Sequence, residues 1–200
     1  MEQEIRADKV VGLDYKSDGL YVDSEGVCAA MPHYYRKSQK KLSKAQRKVK
    51  HKVTGSNNYR KQQRKAAKIH RKVANQRKDY LHKRSTETAN LYDLVCVEDL
   101  DMRAMSNKGF GNGKATQDNG YGMFLAMLSY KLEERGKKLI RVDKWFPSSQ
   151  TCSHCGQVKS MPLSERIYRC SCGLTMDRDQ NAAINIRNKG YESYLLEKVS

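Results

Sequence analysis

The sequence predicts a mixed α/β (α+β) fold, an open sheet with helices interspersed, on three observations. Short Val-, Leu- and Tyr-rich runs closed by turn residues come first. Strand-like runs and an amphipathic helical stretch then follow one another. A long, intensely basic segment separates the two parts. Two hundred residues with 38% apolar content are enough for one core.

Residues 10–15 (VVGLDY), 19–23 (GLYVD) and 27–30 (VCAA), separated by turn residues at 16–18 and 24–26, read as three strands of an antiparallel meander that Pro32 closes. Next, Leu42, Ala45, Val49 and Val53 recur at three- and four-residue steps. After the breaker Thr54-Gly55-Ser56-Asn57-Asn58, Tyr59, Ala66, Ile69, Val73 and Tyr80 do the same, which predicts a helical hairpin with a thin apolar seam. Residues 93–100 return to strand character and end in acids. Five glycines within residues 106–122 predict a loop, a candidate lid. Residues 123–136 read as a helix with Phe124, Met127, Leu128 and Leu132 on one side and Gly136 as its stop. Residues 139–143 (LIRVD) form the next strand, a cysteine module spans 149–173, and 179–188 form a last helix. A meander followed by parallel additions is the RNase H arrangement.

Charge sorts these parts by role. The formal net charge is +17, and residues 36–84 hold 20 Lys and Arg against the single acid Asp79, leaving the rest of the chain slightly acidic. A solvated coiled-coil face is the plainer reading, but so many like charges repel one another unless a polyanion offsets them. Nucleic acid is the default partner. Lys41, Lys44, Lys48, Lys61, Arg64, Lys65, Lys68, Arg71 and Lys72 are the expected phosphate contacts. No apolar run approaches the roughly 18 residues of a membrane helix, and the start lacks the apolar core of a signal peptide. The expected location is therefore cytoplasmic, with no membrane partner.

Cys152-x2-Cys155 and Cys170-x-Cys172 predict one structural zinc held by four thiolates, with no open position for water. His154 is a poorer ligand than the four better-spaced sulfurs. Cys28 and Cys96 sit in apolar runs and are expected to be inert core residues. Among the aromatics, Tyr121, Trp145, Phe146 and Tyr168 are candidates either for base stacking or for a small core beside the knuckles.

Three carboxylates lie where elements begin or end: Asp14 in an apolar strand, Glu98 directly after another, and Asp179 at the last helix. Acids at such positions also serve in turns and caps, and Asp177 or Asp179 could be a helix N-cap. An acid in an apolar strand is costly to bury unpaired, and a metal ion relieves that cost.

Gly12-Leu13-Asp14, Val97-Glu98-Asp99-Leu100, PSSQTCS at 147–153 with Cys155-Gly156, and Cys172-Gly173 followed by DRD at 177–179, Asn181-Ala182-Ala183 and Asn185-Ile186 resemble the TnpB (OrfB) proteins of bacterial insertion sequences. These are relatives of the compact type V CRISPR effectors. The resemblance implies a RuvC-like, RNase H-fold endonuclease with a zinc ribbon ahead of its third acidic motif, guided to target DNA by RNA from the element's own end. It implies Asp14, Glu98 and Asp179 as catalytic carboxylates sharing two Mg²⁺ or Mn²⁺ ions. Asp177 competes for the third place, where the Asp-x-Asn spacing favours Asp179 and aims Asn181 elsewhere. The implied division is RuvC-like part I (1–33), basic helical hairpin (34–90), RuvC-like part II (91–146), zinc ribbon (147–175) and RuvC-like part III with the tail (176–200). Family members carry an N-terminal portion that grips the guide, whereas this chain begins almost at its first catalytic strand. The expected function is Mg²⁺-dependent DNA cleavage in transposition. The alternative is a catalytically silent protein that binds nucleic acid without cutting it, and a strand-joining transposase would use similar acids.

Overall fold

The computed structural model describes residues 5–106, 116, 118–162 and 164–199. Strands β1 (Val10–Tyr15), β2 (Tyr21–Asp23), β3 (Cys28–Ala29), β4 (Leu94–Glu98) and β5 (Lys138–Val142) form one sheet in the order β3-β2-β1-β4-β5. β1 pairs parallel with β4, and β4 with β5, while β1–β2 and β2–β3 are antiparallel. The meander with parallel additions expected from the element order is thus what forms.

Around the sheet lie the helices α1 (Tyr34–Lys50), α2 (Asn57–Leu91), α3 (Met102–Met105), α4 (Tyr121–Glu133) and α5 (Arg178–Val199), a short 3-10 turn (Ala7–Lys9) before β1, and a small ribbon, the antiparallel pair β6 (Ile167–Arg169) and β7 (Thr175–Asp177). The two-residue period of the strands decides what faces what. Val11 and Leu13 of β1 and Val95 and Val97 of β4 pack with Leu81, Phe124 and Leu128 beneath α2 and α4. Val10, Leu94 and Cys96 face the other way, onto Ile186 and Tyr194 of α5. The same alternation assigns Asp14 and Glu98 to the α5 side.

Two glycines set how closely α5 lies on the sheet. A Cβ on Gly12 would collide with the Ala183 carbonyl oxygen and sit 2.6 Å from the Arg187 nitrogen. One on Gly190 would collide with the Cys96 Sγ. Opposite, the C-terminal half of α2 is core, with Leu81, Ser85, Thr88 and Ala89 buried. The Lys131 ammonium fixes it by donating to His82 O, Ser85 Oγ and Thr86 Oγ1 at 2.7 Å each. Lys137 closes its end through Ala89 O, Tyr92 O and an ion pair with Asp93 at 2.9 Å.

α2 ends at Leu91, within a residue of the hairpin bound expected at 90, although its buried seam past Tyr80 includes Ser85 and Thr88, which break the apolar period. Several expectations change. α4 starts at Tyr121, whose ring is buried against Tyr15 and Phe124. α5 runs beyond residue 188 to Val199, since Gly190 packs inside it instead of ending it. Cys96 is buried as expected, but Cys28 is exposed on its two-residue strand. Most of the candidate lid, residues 107–115 and 117, lies outside the described residues. Its C-terminal part is built into the fold: Asn119 Nδ2 donates to Lys16 O and Ser17 O at 3.3 and 2.7 Å, and Asp118 Oδ1 accepts the Tyr35 N–H near the start of α1 at 3.2 Å.

Candidate active site

Asp14, Glu98 and Asp179 line one open cavity of about 860 Å³, together with Lys16, Asp177 and Arg178. Parallel pairing of Gly12 with Cys96 and Leu13 with Val97 brings Asp14 level with Glu98. Asp179 lies four residues before Ala183, the residue over Gly12. A helical turn of four residues rises about 6 Å, and two strand residues advance about 6.6 Å. Asp179 and Asp14, each one such step from the Ala183–Gly12 contact, therefore meet. Asp177 does a different job: its Oδ1 accepts the N–H groups of Asp179 and Gln180 at 2.9 and 3.1 Å, an N-cap that starts α5.

The cavity's electrostatics follow from this convergence. Burial, then the charges of Asp179 and Glu98, push the Asp14 carboxyl well above the usual carboxylate range, with Arg178 opposing. Burial also raises Glu98. Lys16 Nζ and Arg178 Nε each stand 3.8 Å from an Asp179 oxygen. Three carboxylates that repel one another in a partly desolvated site, offering only oxygen donors, suit a hard divalent cation. They do not gather as tightly as the thiols. Among the described residues, only the four cysteines bring their ligand atoms all within 4.8 Å of one another.

Cys152 and Cys172 Sγ lie 3.7 Å apart, and Cys155 and Cys170 Sγ 3.6 Å. A tetrahedron with Zn–S bonds of about 2.3 Å has edges of about 3.8 Å, so this cluster could hold zinc. The Cys172 backbone N–H, followed by the neighbouring thiols, holds the Cys170 thiol down to about 6. The ribbon is tied to α5 by a clamp that sequence reasoning missed. Asn181 donates to Thr151 O at 2.7 Å and accepts the Ser153 N–H at 3.0 Å, and Asn185 donates to Ser148 O and Thr151 O. The visible signal was the four-residue spacing of two asparagines on one helix face. Asn181 thus points away from the carboxylates, as expected.

Of the four candidate aromatics, Tyr121 and Tyr168 are buried, and the Tyr168 hydroxyl donates to Gln150 O at 3.1 Å. Phe146 packs partly buried against the α5-side core, whereas Trp145 is 81% exposed. The nine Lys and Arg expected to contact phosphate are all exposed on α1 and α2. Those helices pack through a seam that includes Leu42, Ala45 and Val73.

The chain thus combines a mixed sheet, three acids at one cavity and a four-cysteine ribbon leading into the last helix. Residues 2–109 match the OrfB (IS605) family model described as "Probable transposase", and residues 121–186 match one described as "Cas12f1-like, TNB domain". The chain belongs to this OrfB family. It is 38% identical over 181 residues to a "Putative RNA-guided DNA endonuclease" of Streptomyces pristinaespiralis, covering 90% of this chain and 45% of that protein. It is 33% identical to InsQ of Escherichia coli K12, named in the same words, covering 91% of this chain and 49% of InsQ. The chain thus spans about half the length of these relatives. A CRISPR-Cas12f ternary complex solved by cryo-EM shares the fold at 18% identity with a TM-score of 0.64, covering 94% of this chain and 40% of that one. No described helix is long and apolar enough to cross a membrane.

Proposed function

We propose that this chain is the catalytic part of a DNA endonuclease in which Asp14, Glu98 and Asp179 hold divalent Mg²⁺ or Mn²⁺. The observation that carries this reading is the convergence of three carboxylates, from segments far apart in sequence, on one open cavity. Such ions supply an activated water and stabilise the leaving oxygen of a phosphodiester. The protein's own part is positional. The two strands and α5 hold the three carboxylates, Lys16 and Arg178 offset their charge, and the exposed α1–α2 arm grips the sugar-phosphate backbone without reading bases. A structural zinc in the ribbon stiffens the segment that leads into Asp179. The family and the names of the relatives support target DNA and a guide RNA as partners, and a role in transposition.

The test is cleavage of single- and double-stranded DNA with Mg²⁺ by the wild type and by Asp14→Ala, Glu98→Ala, Asp179→Ala and Asp177→Ala. The first three fall to the no-enzyme background. Asp177→Ala, which removes a cap worth about 1 kcal/mol of stability, keeps cutting. Equal cleavage by all variants places the chemistry elsewhere, and none by the wild type leaves a binder.

A further inference from the structure

The loop after β5 carries two adjacent aromatics on the lining of the cavity that holds Asp14, Glu98 and Asp179. Phe146 is partly buried against the α5-side core, while Trp145 stands 81% exposed. The backbone N–H of Trp145 donates to Asp143 Oδ1 at 2.7 Å, which fixes the turn, and Lys144 Nζ sits 5.1 Å from the ring centroid. The ring is thus carried on a hydrogen-bonded turn, in a cavity also lined by the cations Lys16, Lys144 and Arg166. Leaving so large an apolar face in water is unfavourable, and the ligand that answers both features is a base on a phosphate backbone. In duplex DNA the base faces are covered by their neighbours, so the ring suits an unpaired nucleotide.

We infer that Trp145 is a stacking platform for an unpaired nucleobase, seating a single strand beside the three carboxylates. The inference rests on the cavity being a nucleic-acid site, and its test does not depend on catalysis. Trp145 is the sole tryptophan of the chain, so its fluorescence reports on this ring alone. With Ca²⁺ in place of Mg²⁺, titration with a short single-stranded deoxyoligonucleotide quenches that fluorescence. An abasic strand of equal charge and a blunt duplex do not. Measured by oligonucleotide anisotropy, Trp145→Ala weakens binding of the short single strand roughly 5- to 100-fold, the range expected for one stacked base, while Trp145→Phe stays within about threefold of wild type. Duplex binding through the basic arm and the unfolding midpoint are unchanged in both variants, since the ring is exposed. No quenching, or quenching by the abasic strand as well, overturns the platform even if DNA is cut. Quenching in a protein that never cuts DNA upholds it while the endonuclease reading fails.

Discussion

Cys96 shows how a single side chain can register the sheet–helix packing. It is fully buried between β4 and α5, and burial pushes its thiol up from 9.0 to about 12. Above pH 9 the unfolded chain therefore loses a proton that the folded protein keeps, so stability falls as pH rises through that window. Between pH 8 and pH 10 the loss through this one group is on the order of 1 kcal/mol. Urea unfolding at both pH values should show Cys96→Ala losing less stability than the wild type by about that amount, whatever its absolute stability. Equal losses in the two proteins would mean that the thiol ionises freely in the native state. This position was legible in the sequence because Cys96 lies within LVCVE, whereas Cys28 was misjudged from a similar apolar context. Two residues of edge strand leave one side chain facing solvent, and local composition does not say which. Asp14 and Glu98 were legible for the same reason as Cys96, as charges in apolar runs. Lys16, which approaches Asp179 from beyond β1, and Arg178, its neighbour on α5, carry no such contrast with the residues around them.

The cavity that gathers Asp14, Glu98 and Asp179 depends on how α5 lies on the sheet, and that is set by backbone contact more than by side-chain filling. The Ala183 carbonyl next to Gly12 cannot swing aside as a side chain would. Gly12→Ala must therefore lift the helix turn that carries Asp179. We expect a loss of about 2 kcal/mol or more in urea unfolding. Gly122→Ala, in the first turn of α4, serves as the control, because a Cβ there meets nothing nearer than 3.7 Å and its stability should stay close to that of the wild type. A Gly12→Ala protein as stable as wild type would show that α5 is not held by that contact. The strands were legible because alternation over a half-apolar sheet leaves a strong pattern. The full length of α5 was not, since its contacts are made by Gly190, Asn181 and Asn185, residues that usually signal ends and turns. The spacing of the four cysteines, by contrast, fixes two knuckles by chemistry alone, and they were read directly.

Across the whole molecule, α2 is one continuous helix of 35 residues, about 52 Å long, basic at one end and core at the other. The exposed half is therefore held at a fixed distance from the sheet that carries Asp14 and Glu98, with Lys131 and Lys137 holding the buried half in register, and on the function proposed above it would set phosphates at that distance. Lys61, Arg64, Lys65 and Lys68 follow the three- and four-residue spacing of one helix face, and all four are exposed. Replacing them together by Gln removes up to four phosphate contacts without touching the core. The slope of log K against log salt for duplex DNA should then flatten by roughly 3 to 4, with affinity lost equally across unrelated sequences. Because the arm acts by holding the strand and not by chemistry, the same variant should raise the DNA concentration needed for half-maximal cleavage and leave the saturated rate nearly intact. A salt slope identical to the wild type would move the backbone contact off this helix. An unchanged slope with a reduced saturated rate would mean that these cations act on the cavity and not on the strand.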